Sequence, residues 1–203
     1  MRNILCCGDS LTEGLVSFRL PMDPYGDRLE AVANGDSKGE KTTVVSDGVC
    51  GDTTEGIMQR LQLSLGSVAH GHFRHVVLFA GTNDLGMGAD MKHIAELVGD
   101  GVRASLAAGA ERVFLITLPG HRQSMRSRDK RSDCAEYAAS CDEFNDRLRA
   151  LAGGPVHIVD FQAVMPISDP TLWSDGLHFT GDGYQLLAET VYQAIVAAEG
   201  QKQ

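Results

Sequence analysis

Short apolar runs and amphipathic stretches alternate along the whole chain, and this alternation is its strongest constraint on fold. Residues 3–8, Thr42–Val45, Val76–Ala80, Val113–Leu118 and Val156–Val159 read as strands. Between them, apolar residues recur at helical spacing: Tyr25, Leu29 and Val32, then Ile57, Leu61 and Leu65, then Ile94, Leu97, Val98, Val102 and Leu106. Two more helices are expected from about Cys134 to Leu151 and from about Gly181 to Ala198. Asp23, ahead of Pro24, and Thr53 or Asp52 are the expected caps of the first two. Val76-Val77-Leu78-Phe79-Ala80 holds no polar side chain, so it should be a central strand buried on both faces. Strands alternating with helices imply a parallel sheet covered on both sides. Such a sheet places its ligand crevice beyond the carboxyl ends of the strands.

No internal repeat, low-complexity tract or domain-splitting linker interrupts the pattern, so residues 1–203 are expected to form a single α/β domain. A chain of that length can bury a full core without disulfide or metal staples. Its formal net charge of -9 argues against a nucleic-acid partner, whose phosphates need a basic face, and against stable association with anionic membranes. No apolar stretch is long enough to span a bilayer. The N-terminus lacks the basic segment and apolar region of a signal peptide. The five cysteines are odd in number and include no CxxC pair, which fits reduced thiols and a cytoplasmic location. A homo-oligomer is compatible with all of these features.

Chemistry enters at Gly8-Asp9-Ser10-Leu11-Thr12-Glu13-Gly14, directly after the first strand. Two glycines frame a serine, so the chain can turn sharply and leave the hydroxyl at the strand end as a candidate nucleophile. Gly8-Asp9-Ser10 is also what an ordinary turn and helix cap look like. Gly35-Asp36-Ser37-Lys38-Gly39 matches the G-x-S-x-G nucleophile elbow, but its serine follows a helix and precedes a strand, the inverse of what the elbow requires. It reads as a solvated loop.

Ester cleavage needs a base to take the nucleophile's proton and donors for the developing oxyanion. His178 is the candidate base, and Asp175, three residues earlier, can hold the other ring N–H and fix the tautomer. The backbone N–H groups of Ser10 and Gly51 and the side-chain amide of Asn83 are candidate oxyanion donors. Ser10, Gly51 and Asn83 follow the first three strands and His178 precedes the last helix, so all four fall on the crevice side.

These segments also carry a resemblance. Gly8-Asp9-Ser10-Leu11 resembles block I of the GDSL, or SGNH, hydrolases. Gly48-Val49-Cys50-Gly51-Asp52-Thr53-Thr54 is similar to block II, Gly81-Thr82-Asn83-Asp84 to block III, and Asp175-Gly176-Leu177-His178 to block V. The four occur in the family's order from residue 8 to residue 178. The resemblance implies a flavodoxin-like three-layer α/β/α sandwich on a five-stranded parallel sheet. It also implies a cofactor-free serine esterase in which Ser10, Gly51, Asn83 and His178 carry the family's roles. Ser46 stands where block II often has asparagine, Cys50 where serine is common, and Cys7 where glycine or another small or apolar residue is usual.

Other features have plainer readings. His70, His72 and His75 lack a nearby carboxylate and metal-site spacing, so they are read as a surface loop and no metal is expected. Cys134 and Cys141, seven apart on one helix face, read as core or boundary packing. The basic stretch from His121 to Arg131 reads as a solvated loop, with a substrate-facing lid as the sharper alternative. Leu11, Leu15, Met22, Leu85 and Met87 are candidates to line an acyl pocket, which core packing explains nearly as well. The chain is expected to hydrolyse small, short-chain acyl esters through an acyl-enzyme. O-deacetylation of a sugar or metabolite, or acyl transfer, would use the same machinery. A metal-dependent phosphoesterase built on Asp9, Asp84 and Asp175, and a non-catalytic binding module, are the readings from other classes.

Overall fold

The computed structural model describes residues 2–16, 21–36, 39–67, 72–120 and 132–200, with side chains from 137 onward in the last of these. Strands β1 (Arg2–Gly8), β2 (Thr42–Gly48), β3 (His75–Phe79), β4 (Arg112–Ile116) and β5 (Val156–Val159) form one sheet in the order β2-β1-β3-β4-β5. Every neighbouring pair is parallel. β2 runs three residues beyond its β-branched run, because Ser46, Asp47 and Gly48 pair with Cys6, Cys7 and Gly8 of β1.

The helices are α1 (Ser10–Glu13), α2 (Tyr25–Gly35), α3 (Thr54–Leu65), α4 (Thr82–Gly86), α5 (Met91–Ala107), α6 (Ser132–Arg149), α7 (Phe161–Val164) and α8 (Gly181–Gly200). The connection from β1 to β2 moves toward one edge of the sheet, and those through α3, α5 and α6 move toward the other. Right-handed crossovers therefore set α2 on one face and α3, α5 and α6 on the opposite face. α8 packs on α2, while α3 packs on α5 and α5 on α6, so both faces are covered. This is the α/β fold the alternation predicts. Strand order reverses between β1 and β3, whose ends pair at Gly8 and Phe79, so the crevice belongs beyond those two ends.

The core forms where both faces of the sheet meet helices. Val76 and Val77 of β3 and Val113, Phe114, Leu115 and Ile116 of β4 are wholly buried. Leu29 of α2 and Leu187, Val191 and Ile195 of α8 belong to the same core as Ile57 and Leu61 of α3 and Ile94 and Val98 of α5.

Two local expectations are corrected. Asp23 does not cap α2; Pro24 occupies that position, and the Asp23 carboxylate accepts two hydrogen bonds from Arg28, both 2.8 Å long. A bidentate guanidinium partner outcompetes a single backbone N–H. His75 is not a surface residue. It opens β3 and is completely buried, and its Nε2–H donates to Glu199 Oε1 at 2.9 Å. Glu199 in turn accepts from Arg2 of β1, so a carboxylate from α8 is the acceptor that makes burial of this ring tolerable. His72 is exposed and bonds the Gly109 carbonyl at 2.8 Å, while His70 lies outside the described residues. Thr53 rather than Asp52 caps α3, accepting the Gly56 N–H. Among the described residues, no helix is long and apolar enough to cross a membrane.

Candidate active site

Ser10 is placed by the end of β1 and a single helical turn. Gly8 lies so close to the next strand that an added Cβ would sit 2.5 Å from the Phe79 carbonyl oxygen and 2.2 Å from Thr12 Oγ1, so only glycine fits. Asp9 then caps α1, its Oδ1 accepting the Leu11 N–H at 2.9 Å. Ser10 is therefore the first helical residue, where the backbone N–H has no acceptor within the helix. The side chain is almost wholly covered, 4% exposed. Burial pushes the neighbouring Asp9 carboxyl up to about 6, against the opposing pull of the Leu11 N–H.

The partner of Ser10 arrives from the far end of the chain. Trp173 and Phe179 form an isolated antiparallel bridge, and Ser174 N–H donates to the His178 carbonyl at 2.9 Å, closing the intervening segment into a tight loop. Phe179 anchors it, making edge contacts with Trp173, Phe161 and Tyr184 at centroid distances of 5.2, 5.6 and 5.3 Å. The Tyr184 hydroxyl donates to the Leu15 carbonyl at 2.9 Å, just past α1, and the Ser174 hydroxyl donates to that of Val16. The loop is thus fastened to the segment that follows Ser10 and α1.

At its tip, His178 Nε2 lies 3.1 Å from Ser10 Oγ, and His178 Nδ1 lies 2.8 Å from Asp175 Oδ2. An ionised carboxylate only accepts, so Nδ1 carries the proton and Nε2 presents a lone pair to the serine hydroxyl. Asp175 Oδ1 also accepts the backbone N–H groups of Gly176, Leu177 and His178 at 2.6, 2.8 and 2.8 Å. Partial burial pushes this carboxyl up, but the His178 ring and these N–H groups outweigh it and hold it at about 2.

The other two residues come from the ends of β2 and β3. Gly51 has φ +78°, a left-handed conformation that an L side chain adopts only with strain, and an added Cβ there would meet no protein atom. The preceding N–H, of Cys50, donates to Glu13 Oε2 at 2.5 Å, tying this turn to α1. Asn83 lies inside α4 and donates one amide hydrogen to the Asp52 carbonyl at 2.8 Å. A primary amide has two N–H donors, so the second is fixed in direction by the first. Asp84, also inside α4, locks that helix to α3, its Oδ2 accepting both the N–H and the hydroxyl of Thr54 at 2.8 Å. A hydroxyl oriented by a neutral imidazole, itself oriented by a carboxylate, can attack a carbonyl carbon and hand its proton to the ring.

A model of the GDSL-like lipase/acylhydrolase family matches residues 6–186. The chain belongs to this family. As a GDSL-like acylhydrolase it is an enzyme of the ester-hydrolase class. A lipase/acylhydrolase from Enterococcus faecalis is 27% identical, with a TM-score of 0.72, and the match covers 96% of this chain and 95% of that one. A member of the lipolytic G-D-S-L family from Veillonella parvula is 21% identical at a TM-score of 0.67, covering 97% and 99% of the two chains. A carbohydrate acetylesterase family member from Sinorhizobium meliloti is 16% identical at 0.72, covering 96% and 97%. The last two are similar in fold. No curated protein matches the chain in sequence.

The remaining candidates of this GDSL-like chain fall in different surroundings. Leu11 and Leu85 are buried in the core, whereas Met22 and Met87 stand exposed. Asp9, Asp84 and Asp175 each accept hydrogen bonds from the protein itself, and among the described residues no group of three or more His, Cys, Asp or Glu is arranged to hold a metal. Cys141 is buried, as packing requires. The side chain of Cys134, residues 37 and 38 of the G-x-S-x-G match, and the basic stretch from His121 to Arg131 lie outside the described residues. Sequence reasoning missed Glu13, Arg60 and the Thr54–Asp84 pair. Of these, Thr54 and Asp84 lie within the conspicuous blocks and Glu13 lies two residues beyond the first, whereas Arg60 lies in none of them.

Proposed function

We propose that this chain is a serine esterase that hydrolyses small, short-chain acyl esters through an acyl-enzyme on Ser10. The observation that carries the reading is the unbroken path from Ser10 Oγ through His178 to Asp175, with contacts of 3.1 and 2.8 Å between residues up to 168 positions apart. Packing alone has no need for a buried hydroxyl, an imidazole and a carboxylate in line.

In the first half-reaction, Ser10 Oγ attacks the ester carbonyl as its proton passes to His178 Nε2. The imidazolium is stabilised by Asp175, which stays ionised and takes no proton. The tetrahedral oxyanion accepts N–H bonds from the Ser10 and Gly51 backbones and from the free amide hydrogen of Asn83. Collapse breaks the bond to the leaving alkoxide, which takes the proton from Nε2 and departs as the alcohol. Water then attacks the acyl carbon, His178 again accepts and returns the proton, and a carboxylic acid leaves with Ser10 restored. Close covering of both Ser10 and His178, 4% and 9% exposed, favours a compact acyl group at the reacting centre.

The test is hydrolysis of p-nitrophenyl esters from acetate to longer chains by wild type and Ser10→Ala, with covalent labelling by a fluorophosphonate. Wild type should cleave acetate or butyrate fastest and label at Ser10, and the variant should do neither. A variant that keeps its activity sinks the nucleophile assignment. A preference for long chains sinks the substrate class while leaving the nucleophile in place.

A further inference from the structure

Arg60 joins three parts of the crevice that are distant in sequence. It rises from α3, and its Nη2 donates to the carbonyl of Gly8, two residues before Ser10, at 2.7 Å. Its Nη1 donates to the Asp47 carbonyl at 2.8 Å and to the Asp47 carboxylate, both at the end of β2. Its Nε donates to Asp52 Oδ2 at 2.9 Å, and the Asp52 carbonyl is the acceptor that aims the Asn83 amide. One guanidinium therefore spans the ends of β1 and β2 and the turn that carries Gly51. The backbone of α3 is shaped for this arrangement. A Cβ at Gly56 would lie 1.9 Å from Asp52 Oδ1, so glycine stands where the Asp52 carboxylate folds back over the helix. The Arg60 side chain is 21% exposed, and a rigid planar fork is the group that can hold four such acceptor atoms, on three residues, at once.

We propose that Arg60 is a positioning residue for the oxyanion site: by anchoring Asp52 it fixes the carbonyl that orients the Asn83 amide. The inference rests on Asn83 acting as an oxyanion donor, as put forward above. Oxyanion stabilisation depends steeply on donor placement, because the donors act only if they need no reorganisation when charge develops. A displaced amide weakens the transition state while the neutral ester binds as before, so the loss falls on kcat rather than KM.

The test measures kcat and KM on p-nitrophenyl acetate for Arg60→Met, Arg60→Lys, Asn83→Ala and the Arg60→Met/Asn83→Ala double variant. Arg60→Met should lower kcat about 10- to 100-fold and leave KM within about twofold. Arg60→Lys should lose a similar factor, since an ammonium, with three donors on one nitrogen, cannot span four acceptor atoms on three residues. In the Asn83→Ala background, Arg60→Met should cost less than about threefold more, because its effect passes through a group already removed. The same factor in both backgrounds, or a raised KM with kcat intact, overturns the proposal. If Arg60→Met fails to fold, Asp52→Asn carries the test, as it keeps the carbonyl and removes the ion pair. It should lower kcat, and lose that effect without Asn83; full kcat in Asp52→Asn overturns the proposal. If Asn83→Ala itself keeps full activity, the oxyanion reading of Asn83 fails, and this proposal with it. Silence of Arg60→Met in an enzyme that Asn83→Ala cripples defeats the Arg60 role alone.

Discussion

Replacing Asp175 with asparagine changes few atoms and should nearly abolish turnover. Asp175 Oδ1 accepts three backbone N–H groups, and Oδ2 faces His178 Nδ1. An asparagine must choose which end to give its oxygen. Turning the NH2 toward the backbone would set it against three donors and forfeit three hydrogen bonds, each worth about 1 kcal/mol. The oxygen therefore stays with the backbone and the NH2 confronts Nδ1. That pairing requires Nδ1 to be the acceptor, so the ring proton moves to Nε2, which then meets Ser10 Oγ as a donor and cannot take its proton. A triad locked in the wrong tautomer loses about 10⁴ in kcat, equivalent to about 5 kcal/mol of transition-state stabilisation. Asp175→Ala places no donor against Nδ1 and is expected to lose less. The assay is kcat on p-nitrophenyl acetate for both variants, with ¹⁵N shifts of His178 reporting the tautomer. Activity of Asp175→Asn within tenfold of wild type would refute the reasoning.

Other outcomes follow from the same geometry. Asp175 sits at about 2 in the folded chain against an ordinary 3.8, so its contribution to stability is present above about pH 4 and is lost as pH falls toward 2. Unfolding of wild type and Asp175→Asn should therefore differ at pH 5 and converge as pH falls from 4 toward 2; a gap that stays constant to pH 2 would count against it. Asp9 is the opposite case. Its folded value of about 6 lies above the ordinary 3.8, so stability is fully present below about pH 4 and lost as pH rises through 6. Asp9→Asn keeps an oxygen for the Leu11 N–H and removes the buried charge. It should raise the melting temperature at pH 7.5 and leave it unchanged at pH 3.5, and equal shifts at both would defeat the argument. Gly51→Ala meets no protein atom but must hold φ +78°, so urea titration should show a loss of about 1–2 kcal/mol. Its kcat should fall with it, as the strained turn relaxes; unchanged stability would mean that the turn is easily rebuilt.

Much of the fold was legible because its signals are local. Each of the five strands coincides with a β-branched or apolar run, and the amphipathic spacing of α2, α3 and α5 already marks the faces they bury. The positions of Ser10, Gly51, Asn83 and His178 in the fold were legible for a related reason: each follows a strand or precedes a helix, and a parallel sheet gathers such positions at one end. The errors share a different cause. The neighbours of His75 suggest an exposed loop, yet its burial depends on Glu199, 124 positions away. The place of Asp23 before Pro24 suggests a cap, yet Arg28 claims its carboxylate.

By itself, then, the sequence determined the parallel sheet, the order of its helices and the ends at which chemistry would gather. Those features depend on hydrophobic periodicity and turn residues, which act over a few positions. Only the tertiary structure decided that His178 reaches Ser10 with one ring nitrogen and Asp175 with the other, that Arg60 clamps Gly8, Asp47 and Asp52 together, and that Glu13 secures the Cys50 turn. Hydrogen bonds between side chains and backbone far apart in the chain leave no local pattern, because any arginine or glutamate on a half-buried face could have made them. Their partners exist only once the sheet has set the register that brings them within reach.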